Sequence, residues 1–382
     1  MIGIRSDKII LQNSLFDGYV YLENGKIASV ANKLLDCDTI YDYTGKYVSP
    51  GLIDLHTHGA GGNGFTDTSP EEVIKGCNVH LSHGTTTILP TVMAAPFDVM
   101  QRSLQDIAAA KKSGQVKNNL IGAHLEGPYL SAAQAGAQCP TYITPPNPEE
   151  YETLIGEYGA DIARWTYAPE NDPDGTFAAY LHAHGILPSA GHTNAKYPDV
   201  ATAIEQGMRL ITHLYSCTST VTRDHGFRSL GVIESAFLRD ELYVEIIADG
   251  KHLPPELVRM IVKIKGMDKV ALVTDSLDIA ATDLREGKFK GGSAFIVEDG
   301  VCKLPDRTAF AGSIATADRL VRVMRDECGF DIIDAVRMMT VTPAALLALN
   351  KGSLRAGMDA DIIVFDESIN VSDVFVGGIK MI

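Results

Sequence analysis

GLIDLHTH (51–58), SPEEVIKGCNVHLSHG (69–84) and TTTILPT (85–91) follow one another along the chain, and their order decides the fold class. The outer two are short apolar runs of strand length. The middle one carries helix signals: Ser69 can cap, Pro70 suits the first turn, Glu71 and Glu72 complement the helix dipole, and Gly84 stops it. The same strand-then-helix unit recurs through NLIGAHLE (119–126), ARWTYAPE (163–170), GILPSAGH (185–192), RLITHLYS (209–216), YVEIIADG (243–250) and KVALVTD (269–275). That gives eight candidate strands, with further helices starting near Pro96, Pro148, Thr176, Pro198, Ser229 and Pro254. Strands apolar enough to be covered on both faces, alternating with helices, predict an α/β fold of the (β/α)8 TIM-barrel type. An open doubly wound sheet lacks support, because no GxxxxGK[ST] phosphate loop occurs.

On either side of this body the texture changes. Residues 4–47 alternate short apolar runs with turn signals such as Asp17-Gly18 and Asn24-Gly25, and residues 361–382 return to the same pattern. The two ends are therefore expected to build one small β-sandwich (1–48 and 350–382) beside a catalytic barrel (49–349). A glycine-rich excursion at 283–310, with a hairpin around Glu298-Asp299-Gly300, reads as a flap over the barrel mouth. Helical patterns resume at 316–328 and 331–349.

The chain has 382 residues, 45% of them hydrophobic and 21% charged, enough to bury a large core around one barrel of about 250 residues. Its net charge of −15 argues against non-specific binding to nucleic acid or an anionic membrane surface. The first twenty residues show no basic region followed by a long apolar stretch, and no run approaches a membrane span, so a cytoplasmic location is expected. Six cysteines are scattered without a CxxC pair; five read as reduced core or surface thiols, and Cys217 is the one placed to line a site.

The polar residues that end the strands carry the chemistry. Period-two geometry aims His56 and His58 to one side of the first strand's end, where two imidazoles can grip a divalent ion. Glu126 ends the third strand, His192 the fifth, His213 the sixth and Asp275 the eighth. Active sites of such barrels form on the face where strands end, so these residues would converge. Satisfied core histidines would not share that placement. His80, His83, His182 and His184 fall in or beside helices and read as structural, while His124, two residues before Glu126, reads as a neighbour of the site. An ion held by Glu126, His192 and His213 with an open position suits hydrolysis, with Asp275 as the base that takes a proton from water and returns it to a leaving nitrogen. A metal-binding protein without catalysis is the rival class, and the joint presence of all six residues counts against it.

At these residues the sequence resembles the N-acetylglucosamine-6-phosphate deacetylase family of the amidohydrolase superfamily. The resemblance spans YVSPGLIDLHTHG, HGTTTILPT, HLEGPYL, AGHT, THLY, IADGKHL, LVTDS, FAGSIATADR, TPAALLAL and KGSLRAGMDADIIVFD, in the family's order. It implies a zinc or iron site at Glu126, His192 and His213, with Asp275 as the catalytic aspartate. His56 and His58 match members that hold two metals per subunit rather than one. It also implies a homodimer acting on a small amino-sugar phosphate, releasing acetate, with His252 in the place of a phosphate-binding histidine. Three stretches depart from the family. HLYSCTS places Ser216 and Cys217 where Asn and Ala are usual, and Gln138 replaces a histidine near the reacting carbonyl. The segment VTRDHGFRSLGVIESA is longer than usual and makes Arg228 the phosphate candidate, with Arg223 in reserve. The hydrolytic set is thus complete while the substrate pocket is revised, which leaves another N-acyl compound or an unphosphorylated N-acetyl sugar as the alternative substrate.

Overall fold

The computed structural model describes residues 1–288 and 294–382. The eight expected strands form at Leu52–Thr57, Thr85–Met93, Ala123–Glu126, Ile162–Tyr167, Leu187–Ala190, Leu210–Ile211, Tyr243–Ile247 and Val270–Val273. Each pairs in parallel with the next in chain order. Between the eighth and the first, the ring is drawn together just past the strand ends. The Asp275 N–H donates to the His56 carbonyl and the His58 N–H to the Ser276 carbonyl, both at 2.8 Å. The barrel is nearly closed, and His56, His58 and Asp275 take part in its closure.

Helices pack outside the ring as their apolar faces require. In Pro70–Ser82 the Ser69 hydroxyl accepts the Glu72 N–H at 3.3 Å, and Val73, Cys77 and Leu81 face the strands. Burying each such side chain contributes about 1.5–3 kcal/mol. Two helical expectations are corrected. The helix expected over 331–349 is two, Ile332–Arg337 and Val341–Leu346. Pro343 has no N–H to donate and fits only a first turn, so a new helix starts just before it. The helix expected from Ser229 begins at Val232, because a short antiparallel hairpin, Thr222–Asp224 with Phe227–Ser229, precedes it.

Both chain ends enter one eight-stranded sheet, in which Tyr47–Pro50 pairs antiparallel with Ile362–Phe365. The ends do meet as expected, but hydrogen bonds join all their strands in a single sheet rather than in two stacked ones. Ile4, Ile9, Val20, Val48, Ile362, Val364 and Phe375 fill its own core. Tyr47–Pro50 leads directly into Leu52–Thr57, so this sheet anchors the strand that carries His56. The hairpin expected near Asp299-Gly300 is present between Ala294–Glu298 and Val301–Lys303. Residues 289–293 of the expected 283–310 flap lie outside the described residues. Among the described residues no helix is long and apolar enough to cross a membrane.

Candidate metal centre and active site

Three site residues owe their aim to an unusual backbone. His192, His213 and Asp275 have φ of 46°, 29° and 45°, the left-handed region that residues other than glycine seldom adopt. Each stands just beyond a strand, and the reversed backbone turns its side chain inward over the barrel's end. Such conformations cost about 1–3 kcal/mol each and persist where surrounding bonds enforce them. Here the Asp275 N–H bond to the His56 carbonyl and the Ser216 N–H bond to the His213 carbonyl, both 2.8 Å, do so.

The side chains converge on Glu126, which is 2% exposed. Its Oε1 lies 3.1 Å from His192 Nε2 and 3.0 Å from His213 Nε2, and those two nitrogens are 3.1 Å apart. On its other side Oε2 lies 3.3 Å from His58 Nε2, while Oε1 is 3.4 Å from His56 Nε2. Asp275 Oδ1 closes the group at 3.2 Å from His56 and 3.1 Å from His58. Glu126 is therefore shared by two sets able to hold a cation: His56, His58 and Glu126; and Glu126, His192 and His213. All six residues singled out from the sequence come together.

The donor set fits a divalent ion. The His192 Nδ1–H donates to the Gln134 carbonyl at 2.9 Å, which leaves Nε2 as a lone pair turned toward a carboxylate oxygen. Two lone-pair atoms at that separation need a cation between them. Glu126 and Asp275 are two buried carboxylates in one space, and with protons alone the imidazoles must supply the compensating charge. Burial draws His56 down, but Asp275 and Glu126 outweigh it and lift it to about 10. Burial likewise pushes Asp275 up, yet His56 and the His58 hydrogen bond hold it at about 2. Imidazole nitrogen with carboxylate oxygen suits zinc and ferrous iron alike.

Around the cluster, the residues assigned to the substrate divide. Gln138 is buried, donates from Nε2 to Glu126 Oε2 at 2.7 Å and accepts the Ala94 N–H at 3.1 Å. Ser216 and Cys217 are half-buried beside His213, and Cys217 accepts the Thr193 N–H at 3.0 Å. Gly136, at φ +58°, lies so close to this wall that a Cβ there would stand 2.5 Å from Cys217 Sγ and 3.3 Å from His192 Cε1. His252 donates from Nδ1 to Asp249 Oδ2 at 2.9 Å, and its ring meets Phe310 edge-on at 5.1 Å. Arg223 and Arg228 face each other across the exposed hairpin, where Arg228 donates to the Gly226 carbonyl at 3.0 Å and Phe227 is 79% exposed. The hairpin, not the cluster, holds both arginines.

Sequence reading passed over four residues that frame the cluster. Arg164 and Glu245 form an ion pair with no exposed surface inside the barrel. Thr274 donates from its hydroxyl to Asp54 Oδ2 at 2.6 Å, locking the first strand to the eighth beside His56. The signal was available: a charged residue inside an otherwise apolar strand must find a partner. His124, expected beside the site, is there, its ring edge-on to His56 at 4.5 Å and its nitrogens on Thr91 and Thr166.

Comparison with known proteins agrees with this architecture. Residues 47–380 match the model of the amidohydrolase family. The chain is 31% identical over 358 residues to the N-acetylglucosamine-6-phosphate deacetylase of Lysinibacillus sphaericus, covering 92% of this chain and 89% of that protein. It is also 31% identical over 340 residues to the N-acetylgalactosamine-6-phosphate deacetylase of a Shewanella species, covering 88% and 84%. The crystal structure of N-acetyl-D-glucosamine-6-phosphate deacetylase from Mycobacterium smegmatis superposes with a TM-score of 0.91 at 28% identity, covering 100% of both chains. With its nearly closed barrel and its shared glutamate between paired histidines, the chain belongs to the amidohydrolase family, and within it to the N-acetylglucosamine-6-phosphate deacetylase family.

Proposed function

We propose that the chain hydrolyses the N-acetyl group of an amino sugar 6-phosphate, N-acetylglucosamine 6-phosphate or a related N-acetylhexosamine 6-phosphate, giving the amino sugar phosphate and acetate. The observation that carries this is the convergence of Glu126, His192 and His213 with Asp275 on one barrel end. Glu126, His192 and His213 would hold a divalent ion, zinc or iron, and His56 and His58 with Glu126 a second. When bound, the ion supplies Lewis-acid polarisation of the acyl carbonyl and of the attacking water. The other step falls to Asp275. As an ionised carboxylate it accepts a proton from the water as the new C–O bond forms, then delivers it to the nitrogen as the C–N bond breaks. Gln134 holds His192 in the tautomer that offers Nε2, and Gln138 orients Glu126.

Recognition of the sugar phosphate would fall to His252, with Ser216, Cys217 and Gln138 near the reacting end. Arg228, on its exposed hairpin, would act across a homodimer interface rather than in its own subunit's pocket. The reading includes a cytoplasmic setting, a catalytic unit at 49–349 with a terminal β unit at 1–48 and 350–382, and a flap at 283–310 beside His252. The placement of Arg228 away from the cluster also favours one second reading, an unphosphorylated N-acetyl sugar or another N-acyl compound. Acetate release from a panel of N-acetylhexosamines, with and without 6-phosphate, by the zinc- or iron-loaded enzyme decides between them. No release from any phosphorylated member would refute the first reading.

A further inference from the structure

Arg164 in the fourth strand and Glu245 in the seventh are fully buried charges that the proposed chemistry does not use. Both Glu245 oxygens face the guanidinium, so the pair is bidentate. The same guanidinium donates to the Thr212 hydroxyl at 2.9 Å and to the Leu55 carbonyl at 3.2 Å. It thus ties the fourth, sixth and seventh strands to the first, one residue before His56. Glu245 Oε2 in turn lies 3.6 Å from His56 Nδ1, a few tenths of an ångström beyond hydrogen-bond range. His56 Nδ1 is buried and makes no hydrogen bond. An imidazole that turns Nε2 to a cation keeps its proton on Nδ1, and that N–H requires an acceptor. His192 meets the requirement with the Gln134 carbonyl. The ring of His124, packed edge-on against His56, spends its nitrogens on Thr91 and Thr166. What His56 Nδ1 faces is Glu245, and a buried carboxylate needs the charge partner that Arg164 supplies.

We infer that Arg164 and Glu245 are positioning residues that hold His56 for a second cation between His56, His58 and Glu126, and so set whether one ion or two is bound. The inference rests on the metal-dependent reading above, but its test is metal content rather than turnover. Wild type and the double variant Arg164→Met/Glu245→Leu are loaded with zinc, dialysed against graded chelator and assayed for zinc per chain by elemental analysis. Replacing both partners removes the pair without stranding either charge. Wild type is expected to hold two ions, and the variant to hold its weaker ion about 10–100-fold less tightly while the ion at Glu126, His192 and His213 stays. Equal retention of two ions by the variant overturns the inference, and so does a single ion in wild type. Should the variant not fold by circular dichroism, the wild type carries a second readout. Its cobalt-loaded form should show a paramagnetically shifted, exchange-protected imidazole N–H resonance that His56→Asn removes, and the lack of that resonance overturns the inference equally. Acetate assays on the same samples keep the two readings apart. A wild type that binds two ions as described but deacetylates no N-acetylhexosamine 6-phosphate refutes the reaction and leaves the positioning role standing.

Discussion

Replacing Gln138 by leucine separates two roles for that residue. Leucine nearly conserves the volume, so packing changes little and the hydrogen bonds are what is lost. The first is the donation to Glu126 Oε2 at 2.7 Å, a bond to a charged group worth about 1.5–3 kcal/mol. The second leaves the Ala94 N–H without its acceptor at 3.1 Å, a buried donor costing about 1–3 kcal/mol. Burial of leucine's extra apolar surface offsets part of this, so a net loss of about 2–4 kcal/mol is expected. With an unfolding entropy of about 2.1 cal/mol/K per residue over 382 residues, that loss lowers Tm by roughly 3–5 °C. Because Glu126 is shared by both cation sets, metal affinity should also fall about 10–100-fold. Differential scanning calorimetry and competition with a chelator measure the two effects. If Tm and metal affinity stay at wild-type values while KM alone rises, Gln138 is a substrate contact, and the argument from its two bonds is wrong.

Asp275→Asn should lower kcat by about 10²–10⁴ while zinc content by elemental analysis stays near wild type, since the amide cannot carry the proton. Removing metal with a chelator should abolish acetate release and lower Tm, both restored by zinc or ferrous iron; an ion present at about a thousand times its Kd stabilises by about 4 kcal/mol. At His252, burial pulls the imidazole down but the Asp249 hydrogen bond more than offsets it, so its folded pKa lies above the ordinary 6.5. Its positive charge is therefore still the majority form at pH 6.5 and is lost as pH rises through the raised value. A KM–pH profile for a sugar phosphate should therefore climb on the alkaline side, and Asp249→Asn should move that climb to lower pH; a flat profile in both would remove His252 from phosphate recognition.

The cluster was legible in the sequence because its geometry is made by strand ends. Once eight parallel strands are assigned, Glu126, His192, His213 and Asp275 fall on one end of the barrel, since each is the polar residue where an apolar run stops; the left-handed backbone that turns the last three inward is seen only in the structure. What surrounds them was less legible for a reason of range. Arg164 and Glu245 stand 81 positions apart, and only the closed ring shows that each is the other's partner. The hairpin at Thr222–Ser229 hid for the opposite reason, its two strands being three residues each with no alternation of apolar and polar residues to mark them. Its one local sign was His225-Gly226, where φ of 44° and 89° makes the tight turn.

The same division bears on specificity. Residues that hold the proposed ions sit on the barrel's strands or immediately after them, where a change of aim would strain the ring. Gln138, Ser216 and Cys217 sit on loops, and Arg223 and Arg228 on an exposed hairpin, where a substitution leaves the barrel's ladder undisturbed. Gln138 belongs to both groups, for its loop carries it back to Glu126. A histidine there could hold the same carboxylate and also take a charge; glutamine holds it and stays neutral at every pH. A change that looks in the sequence like a revision of substrate contacts is therefore, in three dimensions, also a change in the electrostatics around Glu126, the carboxylate shared by both candidate cation sets. Substrate range and ion occupancy should shift together when position 138 is altered.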